Sequence, residues 1–165
     1  MARPMRAWPA LLCFSLAVVL EVMPLPGQLE VLKPPIAAMV MIYWALMWPE
    51  RIGLLTALVL GICMDILHGQ LLGQNALALL VITYLTLRFH LQIRIFPLWQ
   101  ITVTVFALLL IYALLQVLVE GIAGLASTGY LRWTQVISGT VLWPVVMGAM
   151  DRLRQRADYR KPNIN

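Results

Sequence analysis

Charged residues are scarce in this sequence. They make up 12% of the 165 residues, whereas hydrophobic residues make up 62%, and the mean hydropathy is +0.87. An ordinary soluble domain has about 25% charged and about 45–50% apolar residues. A soluble chain of this length has too little interior to hide so much apolar surface. The sequence therefore excludes an ordinary water-soluble domain and indicates an integral membrane protein.

Groups suited to catalysis or metal binding are also few. The cysteines Cys13 and Cys63 lie inside apolar runs at different predicted depths, and His68 and His90 lie on opposite predicted sides of the membrane. We therefore interpret the cysteines as small buried hydrophobic residues. No phosphate-binding glycine loop, nucleophile elbow or zinc motif occurs. A catalytic role would have to rest on the lone acids Glu21, Asp65 and Glu120. We predict no enzymatic activity, no cofactor and no metal.

Six apolar segments follow one another, each bounded by charges, prolines or glycines. They are about 8–25, 29–48, 52–68, 71–87, 96–119 and 133–150. A spanning helix needs about 20 mostly apolar residues. The sequence therefore predicts an all-α polytopic membrane protein with six transmembrane helices, forming a single transmembrane domain over residues 1–165.

The first two segments carry features of their own. Arg3 and Arg6 precede the first, and no small-residue cleavage site follows it, which predicts an uncleaved anchor. Lys33-Pro34-Pro35 interrupts the second segment. Because prolines are tolerated in a first helical turn, we expect a helix to start near them, with Lys33 reaching toward the membrane interface.

The positive charges predict an orientation. With six spans and a cytoplasmic N-terminus, only Lys33 and Arg132 of the 12 Lys and Arg residues lie outside, which matches the positive-inside bias. Both termini are then cytoplasmic. Residues 151–165 form a basic cytoplasmic tail, interpreted either as a stop-transfer anchor attracted to the inner leaflet or as a contact for a partner or anionic lipid. A basic excess confined to this tail and short loops argues against nucleic-acid binding.

One stretch, GICMDILHGQLLGQNA at residues 61–76, places an acid deep in the third predicted span. Gly61, Asp65 and His68 share one helix face. An acid in a span usually faces protein or water. Either a polar, outward-facing pocket is present, or this is a solvated corner whose glycines make the turn. The candidate pocket or partner-binding residues are Asp65, His68, Gln70, Gln74 and Asn75.

The same stretch predicts contacts for its acid and its glycines. An ionised carboxylate among helices needs a partner. The candidate partners of Asp65 are His68, Gln70, Gln74, Lys33 and Arg132. Glycines on spanning helices allow close backbone approach. Close helix packing is therefore expected at Gly61, Gly69 and Gly73.

The predicted inner turn between the second and third spans carries Glu50 and Arg51. One interpretation is a solvated turn whose charge helps orientation. The other is a pair of cytoplasmic turn contacts, to a partner or to the end of a neighbouring helix.

Several short motifs occur in one order along the chain and together carry a resemblance. They are Tyr43-Trp44, Pro49-Glu50-Arg51-Ile52-Gly53, Gly61 four residues before Asp65, Leu72-Gly73-Gln74-Asn75-Ala76, Phe96-Pro97-Leu98-Trp99-Gln100 and Leu142-Trp143-Pro144. In this order and spacing the chain resembles the MreD family of rod shape-determining membrane proteins.

The resemblance implies a non-enzymatic, multi-pass component of the bacterial inner membrane, in the complex that supports cell elongation and peptidoglycan synthesis. The implied partner is MreC, within a wider complex of MreB, RodA and a class B penicillin-binding transpeptidase. The family's fold is similar to that of the substrate-binding components of energy-coupling-factor transporters. That likeness keeps an alternative open: a module that binds or transports a small molecule or lipid through the outward-facing pocket.

Overall fold

The computed structural model describes residues 8–24, 26, 32–69, 71–124 and 129–159, with side chains 132–155 in the last range. Over these residues the backbone forms six α-helices and no strand, which confirms the predicted all-α class. The helices are α1 (Trp8–Val22), α2 (Ile36–Met47), α3 (Leu54–His68), α4 (Gln74–Ile95), α5 (Leu98–Ile122) and α6 (Gly129–Tyr159).

The last three helices are the long ones. Gln74–Ile95, Leu98–Ile122 and Arg132–Gln155 are long and apolar enough to cross a membrane, whereas α1, α2 and α3 are apolar but shorter. α4 ends just before Pro97, in line with the non-helical backbone that proline imposes on the residue preceding it. α6 continues through Asp151 to Tyr159, so the first part of the predicted tail is an extension of the last helix.

α2 is the central helix. It starts at Ile36, directly after Pro34 and Pro35, and every residue from Ala37 to Leu46 is buried. α1, α4 and α6 all pack against it. Its 12 residues span only about 18 Å, well short of the roughly 30 Å hydrocarbon core of a bilayer. α2 alone is therefore too short to cross a bilayer.

α1 packs against α2, α3 against α4, α4 against α5, and α5 against α6. We call the end with Glu21, Lys33, His68, Asn75 and Arg132 the corner end, because residues of this end line one cavity. The opposite end is the tail end. There the Tyr43 hydroxyl of α2 donates a hydrogen bond to Asp151 Oδ1 of α6, with an O···O distance of 2.5 Å.

Candidate functional site

Asp65 serves the start of the next helix. Its carboxylate accepts hydrogen bonds from the backbone N–H groups of Gly73 (2.8 Å to Oδ2), Asn75 (2.8 Å to Oδ1) and Ala76 (3.4 Å to Oδ2). The first N–H groups of a helix have no partner within it, and its positive end favours a negative charge. Gly73, the residue before α4, has no side chain to cap these groups. Asp65 of α3 therefore caps α4.

Among the described residues, every hydrogen bond to Asp65 comes from a backbone N–H group, so the predicted partners His68, Gln74, Lys33 and Arg132 are wrong. His68 Nδ1 instead bonds the Met64 carbonyl at 2.9 Å, and Gln74 Nε2 donates to Glu120 at 2.7 Å. Lys33 and Arg132 also bond elsewhere. Gln70 lies outside the described residues.

Gly61 brings the two helices together one turn before Asp65. A Cβ atom added to Gly61 would lie 2.2 Å from Ala76 Cα, so only glycine permits this crossing of α3 and α4. The prediction of close packing is wrong for Gly69 and Gly73, where an added Cβ would meet nothing within 4 Å. These two residues form the turn instead: their φ angles are +61° and +104°, a backbone region that favours glycine.

Glu21 links α1 to α2 in the way that Asp65 links α3 to α4. Its Oε2 accepts the backbone N–H of Ala37 at 2.6 Å, so an acid near the end of α1 caps the first turn of α2. Lys33 completes the exchange, since its Nζ donates to the carbonyls of Glu21 (2.5 Å) and Met23 (2.8 Å) at the end of α1. The Lys33 ammonium therefore satisfies a helix terminus, and its reach toward the membrane interface stays a prediction.

The third acid, Glu120, joins three helices. It forms an ion pair with Arg132 of α6 and accepts a hydrogen bond from Gln74 of α4. Arg132 Nη1 also donates to Gln116 Oε1 at 2.5 Å. The pair is largely buried, with side-chain exposures of 15% and 12%, so both charges depend on these partners.

Asn75 links this ion pair to the α3–α4 corner. Its side-chain Oδ1 accepts hydrogen bonds from the Tyr112 hydroxyl (2.8 Å) and from Gln116 Nε2 (2.5 Å), while its backbone N–H donates to Asp65. All four of these residues are buried. A continuous polar network therefore runs from α3 through α4 and α5 to α6.

A cavity of about 230 Å³ lies against this network at the corner end. Its polar and ionisable lining residues are Glu21, Lys33, His68, Asn75, Tyr112, Gln116, Arg132 and Gln135. Every helix, or the segment just before it, contributes to the wall. The cavity can therefore offer hydrogen-bond donors and acceptors together.

The cavity differs in part from the pocket that the sequence predicts. His68 and Asn75 line it, whereas Asp65 and Gln74 are buried behind it. Tyr112 and Gln116 were missed as lining residues. With Glu120 they recur every fourth residue along α5, which puts three polar side chains on one face of an otherwise apolar helix. This polar stripe was the sequence signal that could have identified them as lining residues.

The turn residues Glu50 and Arg51 lie at the tail end of the bundle, opposite the end that holds the cavity. Both are exposed, and the Arg51 guanidinium carbon lies 5.3 Å from the centroid of the Trp48 ring. This contact orients Arg51 over its own turn. It leaves both interpretations of the turn open.

Comparisons with known proteins identify the family of this chain. Residues 2–153 match the family model for rod shape-determining protein MreD. The chain is 30% identical to the rod shape-determining protein MreD of Haemophilus influenzae over 146 residues, which cover 87% of this chain and 88% of that protein. No solved structure matches, so the likeness to energy-coupling-factor components stays a prediction. The chain belongs to the MreD family of rod shape-determining membrane proteins.

Proposed function

We propose that this protein is a non-enzymatic membrane scaffold of the cell-elongation complex and that its direct partner is MreC. Family membership implies a role in determining rod shape. The finer proposal adds the partner, the support of peptidoglycan synthesis, and the association with MreB, RodA and a class B penicillin-binding transpeptidase. It places the protein in the bacterial inner membrane with the tail end and both termini cytoplasmic.

The observation that carries the proposal is the poor coverage of α6. In the most apolar 18-residue stretch of α6, only 17% is buried, whereas the corresponding share is 39% in α4 and in α5. Ile137, Val141 and Val145 recur every fourth residue and are 60–71% exposed. Gly148 continues this face, and nothing lies within 4 Å of a Cβ added there. Small residues on such a face allow a second helix to approach closely. A single-pass partner helix fits this stripe.

The test is co-purification of MreC from membranes with the full-length protein. Gly148→Leu fills the open face of α6 and should reduce recovery of MreC severalfold. Gly121→Leu is the matched control, since Gly121 of α5 also has open space around it. Equal recovery with both variants, at equal membrane abundance, would place the contact elsewhere and refute the role of α6.

The alternative, a module that binds or transports a small molecule or lipid, is supported by the corner-end cavity. A site of about 230 Å³ with a polar lining suits a small polar compound better than an acyl chain. This second candidate does not compete with the scaffold for the same surface. Retention of a small molecule through purification would support it, and loss of MreC binding would not bear on it.

Orientation follows from charge. Arg51, Arg88, Arg94 and Arg152 are exposed at the tail end, while Lys33 and Arg132 of the corner end are tied into bonds. The positive-inside bias therefore favours a cytoplasmic tail end. A reporter fused after Asn165 should be active in the cytoplasm, and an external signal there would overturn the proposed topology.

A further inference from the structure

The corner-end cavity has a chemistry specific enough to name a ligand class. We propose that it binds a small zwitterion, a molecule bearing one carboxylate and one protonated amine, of which an α-amino acid is the simplest example. The inference rests on the second candidate function above and deepens it by naming the ligand.

The cavity wall is preorganised. Asn75, Tyr112 and Gln116 are each at least 95% buried and are fixed by hydrogen bonds to one another. Pro34 and Pro35 add a rigid segment on the α2 side. A wall whose side chains are already ordered binds a ligand without the entropic cost of ordering them.

One side of the cavity suits a carboxylate. Arg132 uses Nη1 and Nη2 for Gln116 and Glu120. A guanidinium has five N–H donors, so further donors remain for an anionic group. Gln135, one turn further along α6, lines the cavity beside it and adds an amide.

The other side suits an ammonium group. Glu21 uses Oε2 for the Ala37 N–H, which leaves Oε1 as an acceptor. His68 Nδ1 lies 2.9 Å from the Met64 carbonyl, so Nδ1 is the donor of that bond, and in a neutral imidazole Nε2 is then an acceptor. These groups of α1 and α3 line the same cavity as the donors on α6.

Of the ionisable residues that line the cavity, Glu21 and Lys33 carry opposite formal charges, and Arg132 pairs with Glu120. The Asp65 carboxylate behind the wall accepts backbone N–H groups at the start of α4, whose positive end favours its charge. A ligand with net charge would leave an uncompensated charge among the helices, which is costly. A zwitterion satisfies both sides without changing the sum. The volume of about 230 Å³ is well above the roughly 10–15 Å³ that a single water needs, so the cavity has room for a small ligand.

The experiment uses the full-length protein in lipid nanodiscs, with the common L-α-amino acids added one at a time at millimolar concentration. Thermal unfolding monitored by tryptophan fluorescence detects a ligand, because binding to the folded state raises the Tm. At least one amino acid should raise it. The N-acetyl and the carboxamide derivatives of that amino acid should each bind about tenfold or more weakly, since each loses one charged hydrogen-bonding group.

Two variants locate the ends of the ligand. Glu21→Gln keeps an oxygen for Ala37 and should weaken binding of the free amino acid about tenfold while leaving binding of its N-acetyl derivative unchanged. Gln135→Ala, which leaves the Glu120–Arg132 pair in place, should weaken both the free amino acid and its N-acetyl derivative severalfold. Glu50→Gln, at the exposed tail-end turn, is the matched control and should bind as the wild type does.

The outcomes separate the two claims. D-glucose is added as an uncharged polar probe. If D-glucose raises the Tm and none of the amino acids does, the zwitterion assignment is overturned while the pocket remains. A Tm unaffected by every probe would overturn both the ligand and the second candidate function. Binding that is insensitive to Glu21→Gln would overturn the proposed placement of the amine.

Discussion

The two ends of the helix bundle hold their charged residues in different ways. At the corner end, Glu21 and Asp65 cap helices that follow them in sequence, and Glu120 pairs with Arg132. At the tail end, Glu50 and Arg51 are exposed on a turn. Unsatisfied backbone groups within a bilayer cost several kcal/mol each. Charges at the corner end thus serve the fold itself, whereas those of the tail-end turn are available to the aqueous side.

The largest effect is expected at Gly61. Gly61→Leu places a side chain where a Cβ alone would lie 2.2 Å from Ala76 Cα, so the α3–α4 hairpin cannot close. We expect no folded monomer in fluorescence-detected size-exclusion chromatography. Gly148→Leu, on the open face of α6, should fold normally. A monodisperse Gly61→Leu protein would show that the two helices can separate without loss of the fold.

Asp65 comes next. Asp65→Ala leaves the N–H groups of Gly73, Asn75 and Ala76 without their acceptor, at a cost of about 2–5 kcal/mol. Asp65→Asn keeps one acceptor oxygen and should cost less. Thermal unfolding of the purified variants measures both, with Glu50→Ala as control. Equal Tm values for Asp65→Ala and wild type would mean that the capping bonds contribute nothing.

The Glu120–Arg132 pair sharpens the comparison through a double-mutant cycle. Each single change, Glu120→Gln or Arg132→Gln, leaves one largely buried charge without its partner and should destabilise the protein by about 2–4 kcal/mol. The double variant removes both charges and should lose less than the sum of the two. Denaturation of the wild type and the three variants in mild detergent gives the coupling free energy between Glu120 and Arg132. Additive effects would indicate that solvent screens the pair.

The smallest effect on stability is expected at the tail-end turn. Glu50→Ala and Arg51→Ala should change the free energy of unfolding by about 1 kcal/mol or less, since both side chains are exposed and Arg51 loses only its contact with Trp48. The two variants are more informative about partner binding than about stability. Normal capture of MreC by the double variant would favour the solvated turn, and a selective loss at wild-type stability would favour a cytoplasmic contact.

The sequence predicted the elements of this fold better than their connections. Hydropathy predicted six helices, and Pro34-Pro35 predicted where α2 starts, because both signals are local. The partners of Asp65 were sought among side chains, although the bonds come from backbone N–H groups. Which N–H groups are free depends on where α4 begins and how closely Gly61 lets it approach. That is a tertiary property, and a single sequence carries no direct signal for it.

The predicted pocket shows the same limit. His68 and Asn75 were found because they flank a conspicuous acid, and both line the cavity. Tyr112 and Gln116 lie in a run read simply as apolar, where hydropathy averages out a polar stripe. Arg132 was considered as an outside charge and as a partner for Asp65, yet it pairs with Glu120. Distances between helices that are remote in sequence decided each of these assignments.

The burial of α2 has a consequence for biosynthesis. A 12-residue apolar segment preceded by Lys33-Pro34-Pro35 is below the length that a translocon releases into lipid as an independent span. α1 must stay beside it, since Glu21 and Lys33 terminate each other's helices. α4 and α6, which are synthesised later, also pack against it. A nascent chain that ends before α6 is therefore expected to leave part of the α2 surface uncovered.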